Sequence, residues 1–403
     1  MKLVQIANIL NNVMIPNQFA DNSDTTIAED LRNVVELGTA ISALSKNEFL
    51  DYSQKIAVGV VRTYFDGRQI GLTTYGLEMD GEEYGGVTQR VKGKLIEMQD
   101  SAALNPVSIR DDNSAPSYLD GHYYGIDFDV RIFETTTTAK IVHSTSETKF
   151  KKMFNDRQAV IDWFGFVESI VQTSLENSMN QLAKSVIRKM MLVANNGSRR
   201  INLIPLYNTV MNYSSGMAGY VTLADWKNSE AFKLFAQEVV IRIKKAMREY
   251  NKKFNDGSVP TFTPDDDIRV LLTSEFATSL DFANSNVFHN ELVNVGQYYE
   301  IEYLQDPSTS LIEFVSTTSK GDKIKETETD PTDPTKTVTT TVSYICGLIY
   351  DRYAAGITAT LSETGVEPVG AELFVNFHHH IARKHWVDPR NSAVLLCLDQ
   401  EPT

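Results

Sequence analysis

The chain has 403 residues, 42% of them hydrophobic, and a formal net charge of −14 at pH 7. That length exceeds one core, since single cores stop growing near ~250–300 residues, so two or more lobes are expected. The acidity argues against a protein whose main task is gripping nucleic acid, which would present a basic surface. Cys346 and Cys397 sit in apolar runs and read as buried, reduced thiols rather than a disulfide framework. No apolar run approaches the ~18–20 residues that cross a membrane. The first residues carry one lysine and a broken apolar pattern, so no signal peptide is read there.

Residues 1–25 read as a loosely structured arm, interrupted by Pro16 and the polar run Asp21 to Asp24. Helical patterning begins near Thr26 and passes Leu37. A second helix fits Ser45 to Ala57, with Ser45 as cap, Glu48 at the capping-box position, and Ile56 among its apolar residues. Val58 to Val61 turns β-like.

From residue 62 to 150 the helical period disappears and glycines punctuate the chain. Val87, Gln89, Val91, Gly93 and Leu95 alternate with Thr88, Arg90, Lys92, Lys94 and Ile96. Ile126, Phe128, Val130 and Ile132 alternate with Asp127, Asp129, Arg131 and Phe133. Such alternation suits strands with one face covered and one wet. Residues 106–118 read as a loop or hairpin tip. The segment is a β-ribbon poor in large apolar side chains. A two-stranded hairpin is marginal alone in water, so the ribbon is expected to lean on something outside its own lobe.

A single long helix follows, from about Asp156 to Ala194. Phe164, Val167, Val171, Leu175, Met179, Leu182, Val186, Met190 and Val193 recur every three or four residues. The opposite face reads Glu168, Gln172, Glu176, Asn180, Lys184 and Arg188, all polar. Asn155 fits a cap with Gln158 as its return partner, and Asn195-Asn196-Gly197 a left-handed stop. At ~1.5 Å per residue the rod is roughly 50 Å long, which suits a spine.

A second lobe follows. A helix spans about Glu230 to Phe254, its second half basic, which reads as a solvated face. Ile268 to Thr273 is a strand, Ser274 caps a short helix, and Tyr298 to Leu304 and Ile312 to Ser316 are strands. Residues 317–341 are polar, a protruding hairpin with Asp330 to Pro334 at its tip. Tyr344 to Tyr350 is a buried strand. Glu372 to Ile381 and Ala393 to Leu398 are strands that must return to a sheet begun earlier.

Signatures of phosphate loops, dinucleotide sites, nucleophile elbows and zinc proteases are missing. His378, His379 and His380, with His385 near, lack a neighbouring carboxylate or thiol to complete a metal site. Polar strand surface is the better reading. No catalytic residue, cofactor or metal is assigned, and the chain reads as a non-enzyme.

Three stretches in this order carry a family resemblance: NEFLDYSQKIAVGVVRT (47–63), FNDRQAVIDWFGFVESIVQTSLENSMNQLAKSVIRKMML (154–192) and ELFVNFHHHIARKHWVDPRNSAVLL (372–396). The chain resembles the major capsid proteins of tailed bacteriophages, closest to coat proteins of small short-tailed phages of Gram-positive hosts. The resemblance implies an α+β, Hong Kong 97-like capsid fold with spine helix, extended ribbon (E-loop), and peripheral and axial domains. It implies N-terminal arm and helices at 1–61, ribbon at 62–150, and spine helix of the peripheral domain at 151–195. An axial domain follows at 196–370 with the polar insertion 317–341, then returning peripheral strands at 371–403. The implied function is a virion shell subunit that self-assembles through pentamers and hexamers into an icosahedral head. Its implied partners are its own copies, scaffolding protein, portal, minor capsid or head-fibre proteins, and packaged double-stranded DNA without sequence specificity; no membrane is implied. An encapsulin-type shell with enzyme cargo is the alternative. Arg90, Lys92 and Lys94 share one strand face, and a neighbour's Glu168 and Glu176 are candidates to meet them.

Overall fold

A computed structural model describes residues 3–13, 31, 51, 53–57, 75–79, 88–93, 128–133, 136–146, 152, 154, 156–257, 259–285, 297–305, 312–314, 324–329, 337–369 and 374–399. The Ser45 cap, the β-like Val58 to Val61, Lys94, the loop 106–118 and all but Leu31 of the helix expected from Thr26 lie outside them; Leu31 is buried and not helical, with φ at +59°. Residues 53–57 are helical, with Ile56 buried as its apolar spacing required.

The arm expected to be loose opens with a helix, α1 (Leu3–Val13). Ile6, Ile9 and Leu10 fall on one helical face and join a buried cluster with Val160, Phe164, Val167 and Val171. These last four belong to the spine, α2 (Arg157–Ala194). Its cap is Asp156 rather than Asn155: Asp156 Oδ1 accepts the Gln158 amide at 3.3 Å. The stop is not left-handed at Asn195, where φ is −79°; Gly197, at φ +50°, takes the turn.

The polar face of α2 is not exposed along its whole length: Lys184 and Arg188 are only 5% and 4% exposed. The second half of the helix is covered on several sides. Met179, Ala183, Val186, Ile187, Met190 and Met191 share one cluster with Leu348 and Leu395 of one sheet and with Ile357 and Ile381 of another.

The later helices are α3 (Leu203–Val210), α4 (Glu230–Met247) and α5 (Ser274–Ser285). Helix α4 ends well before Phe254, because the Asn251 side chain donates to the Ala246 and Glu249 carbonyls and its backbone pairs with Thr261.

The strands are β1 (Thr88–Gly93), β2 (Phe128–Phe133), β3 (Thr136–Ser146), β4 (Arg200–Asn202), β5 (Ile268–Thr273), β6 (Tyr299–Ile301) and β7 (Tyr303–Gln305). There follow β8 (Ile312–Phe314), β9 (Ile324–Thr329), β10 (Thr337–Val342), β11 (Ile345–Asp351), β12 (Ala355–Val369), β13 (Phe374–Val387) and β14 (Ala393–Cys397). Strands β1 and β2 form the ribbon, and β9 and β10 the hairpin expected of the polar insertion. That hairpin passes alongside α2.

One sheet is three-stranded, ordered β12-β13-β3 and antiparallel throughout. Gly356 lies where a Cβ would meet Trp386 Cζ2 at 2.1 Å, so only glycine lets the indole lie across β12. The other sheet is five-stranded, ordered β4-β14-β11-β5-β6. Its side away from α2 buries Leu396, Ile349 and Val270 with Phe232, Val240 and Ile243 of α4 and with Phe276 of α5. Both C-terminal strands do return to earlier sheets, though to different ones. Strand β12, which sequence order places in the second lobe, pairs along β13 in the first. The spine carries the chain from β3 in the three-stranded sheet to β4 in the five-stranded one, and the chain then crosses directly between the sheets twice, from β11 to β12 and from β13 to β14. Cys346 and Cys397 are free, and both are buried in the five-stranded sheet.

Candidate functional site at the base of the ribbon

The two crossings run side by side. Asp351 N donates to Ser392 O at 2.9 Å, Asp388 N to Ala354 O at 2.7 Å, and Asn391 Nδ2 to Tyr353 O at 2.6 Å. Pro389 keeps the second crossing out of regular strand. In the turn, the Asp388 carboxylate accepts from Arg390: the backbone N at 3.1 Å, Nε at 2.9 Å and Nη2 at 2.8 Å. Both side chains are fully buried.

The far edge of this guanidinium meets the ribbon. Arg390 Nη1 donates to Asp129 O at 2.8 Å and lies 3.2 Å from Asp129 Oδ2. Nη2 donates to Arg90 O at 3.2 Å. Arg90 is on β1 and Asp129 on β2, so one planar group holds both strands. Lys92 Nζ returns a bond to Arg390 O at 3.0 Å, and Arg131 Nη2 reaches Asp256 at 2.9 Å. The Arg90 guanidinium lies 5.3 Å from the Tyr353 ring and 5.4 Å from the Trp386 ring.

Burial lowers the pKa of Arg90 and of Lys92, against the opposing pull of Asp388 and Asp351. Burial also lowers that of Arg390, but the Asp388 and Asp129 contacts more than reverse this, and the net shift is upward. Burial raises the Asp351 carboxyl, opposed by hydrogen bonds from Tyr353 N and Thr263 Oγ1. An unpartnered buried guanidinium would cost several kcal/mol; here carboxylates and carbonyls surround it.

This docking sets the roll of the ribbon. Antiparallel partners share a face, so Arg90, Arg131, Lys92 and Asp129 lie on one side, and Val91, Val130 and Ile132 on the other. The charged side is turned toward the subunit. The apolar side is bare: Val91 is 58%, Val130 40% and Ile132 59% exposed. Alternation had announced one covered and one wet face, and the polarity of the two is the reverse of the usual.

Of the residues expected at an inter-subunit contact, Arg90 and Lys92 are thus brought together, but against their own subunit. Glu176 is exposed on α2 and Glu168 lies earlier on the same helix. Arg390 and Asp388 were missed. The available signal was Asp388-Pro389-Arg390 between two apolar strands, an ion pair where the neighbouring pattern announces core.

The histidines form no comparable centre. His143 and His379 stack at 5.2 Å between β3 and β13, and burial holds both near a pKa of about 4. His378 reaches Glu367 at 3.1 Å. Among the described residues, no group of three or more histidines, cysteines and carboxylates is placed to hold a metal ion, and no helix is long and apolar enough to cross a membrane.

A sequence model of the family described as "Phi29-like phage major capsid protein" matches residues 78–396. No curated protein matches the chain. Among solved structures, the chain is similar to one in the capsid of Staphylococcus phage Andhra, with 13% identity, TM-score 0.49, and coverage of 81% of this chain and 83% of that one. A chain in the structure of the head fibre and inner core protein gp22 of bacteriophage P68 gives 10% identity, TM-score 0.47, and coverage of 80% and 83%. One in the capsid of Cyanophage P-SCSP1u gives 12% identity, TM-score 0.38, and coverage of 79% and 84%.

Proposed function

This chain belongs to the Phi29-like phage major capsid protein family, and from that premise we propose that the ribbon is the element through which one shell subunit engages the next. The protein is a structural subunit of the phage head, and a cargo-carrying compartment is not favoured. The observation that carries the proposal is the bare apolar face of Val91, Val130 and Ile132. Exposed β-branched residues on a two-stranded ribbon are a liability in a lone subunit and a contact in an assembled one.

Around this contact we place pentamers and hexamers of one chain closing into an icosahedral shell, in which small repeated losses accumulate. The spine with the three-stranded sheet serves as the peripheral domain, and the five-stranded lobe as the axial one. Scaffolding protein, portal, minor capsid or head-fibre proteins and packaged double-stranded DNA are the partners such a shell requires. A net charge of −14 suits a wall from which DNA must leave again.

The double change Val91→Asp, Ile132→Asp tests the ribbon's role. Both positions face solvent, so the subunit should stay soluble and keep its melting temperature. Sedimentation and negative-stain microscopy should show no closed particles. Normal particles would remove the apolar face from the contacts that build the shell.

A further inference from the structure

Something must hold the ribbon with its charged side inward, because the hydrophobic effect on a lone subunit favours the opposite roll. Val91, Val130 and Ile132 would gain by turning toward the body, and Arg90, Lys92, Asp129 and Arg131 by turning toward water. We infer that Arg390 is the positioning residue for assembly: its guanidinium, fixed from behind by Asp388, reads a carbonyl on each ribbon strand and so sets the roll that presents the apolar face to a second copy of this chain. This rests on the ribbon-contact reading above.

Three observations support the assignment. The group is 0% exposed, so the lock lies beneath the ribbon and persists in the free subunit. On the ribbon it bonds the main-chain atoms Arg90 O and Asp129 O, one on each strand, and its Nη1 also lies 3.2 Å from the Asp129 carboxylate, so a side-chain ion pair reinforces the two carbonyl bonds. The lock is also reciprocal, since Lys92 on the ribbon donates to Arg390 O. A planar fork serves two carbonyls and a carboxylate at once; a lysine at the same place has one nitrogen and no fixed plane.

Arg390→Lys keeps the charge and loses the fork. Asp129→Asn leaves the Asp388–Arg390 pair untouched and weakens only the ribbon side. Both are compared with wild type in two readouts. The first is tryptic cleavage after Arg90 or Lys92 in the soluble subunit; release of the ribbon should raise its rate about tenfold or more, since each lost charge-assisted bond is worth about a factor of ten. The second is particle formation in cells expressing each form, which should be lost or misdirected. Faster cleavage together with failed assembly supports the inference. Unchanged cleavage overturns it, and so does faster cleavage with normal particles, because the roll would then be unnecessary. If Arg390→Lys is insoluble, Asp129→Asn decides; insolubility of that variant as well would make the cluster part of the fold and overturn the inference. The Val91→Asp, Ile132→Asp pair separates the two ideas. It should leave the melting temperature at its wild-type value while abolishing particles, so normal particles there sink the contact and not the lock.

Discussion

Lys184 holds its ammonium 3.3 Å from the centroid of the Tyr303 ring, in a site that water hardly reaches. The ring face replaces part of the lost hydration. Tyr303→Leu should therefore cost about 1–2 kcal/mol, seen as a lower denaturation midpoint with an unchanged slope. An unchanged midpoint would mean the ammonium finds an equal partner elsewhere. The stacked histidines make a different prediction. His379 Nδ1 lies 3.2 Å from Thr364 Oγ1, while neither ring nitrogen of His143 has a partner among the described residues. Burial holds both folded values near 4, below the ordinary 6.5, so the unfolded chain takes up protons first as pH falls. Their stabilising contribution is fully present above about pH 6.5 and declines as the pH drops toward about 4. His143→Phe keeps a ring against Phe377 and cannot protonate. Its melting temperature should fall less than that of wild type over this window, and parallel curves would show that His143 protonates equally well in the folded state.

At the scale of elements, period and punctuation were legible. The spine, the ribbon strands, β5, the start of α5 and the hairpin of the polar insertion follow from spacing, caps and turn residues. Covering was not. Lys184 and Arg188 continue a polar stripe in which Glu176 is exposed, and nothing local says that the stripe enters a core halfway along the rod. Strand β12 escaped because Ala355-Gly356-Ile357-Thr358-Ala359 has little apolar mass; its neighbour Trp386 supplies the bulk from across the strand. Arg390 escaped because a buried arginine is defined by its partners, and those on the ribbon stand some 260 to 300 residues away in sequence. The spine itself yields a graded test. Met190 is buried inside the shared cluster, whereas Leu182 is half-buried at its margin. Met190→Ala should cost about 2–5 kcal/mol, and Leu182→Ala distinctly less. Equal losses would contradict the placement of Leu182 at the margin.

For the whole molecule, the spine joins two cores, its first half in one and its second half in another. The hairpin β9–β10 lies beside it as an addition of polar composition. Replacing Thr318 to Thr340 by a short Gly-Ser linker, with buried Val342 kept, should leave a folded subunit, since surface loop length costs little entropy. A subunit that fails to fold would show that the hairpin braces the spine. The buried thiols bear on what a released particle endures. Cys346 is pushed well above its ordinary pKa and Cys397 to about 12, each chiefly by burial. Neither offers a thiolate to an oxidant, and a folded subunit should react with no equivalent of a thiol reagent until denatured, when two should appear. Passing from the reducing interior of a cell to open air then forms no disulfide between these two thiols. The cysteines of a waiting particle are indifferent to the medium, and what ageing at sulfur there is falls to exposed methionines such as Met211 and Met217.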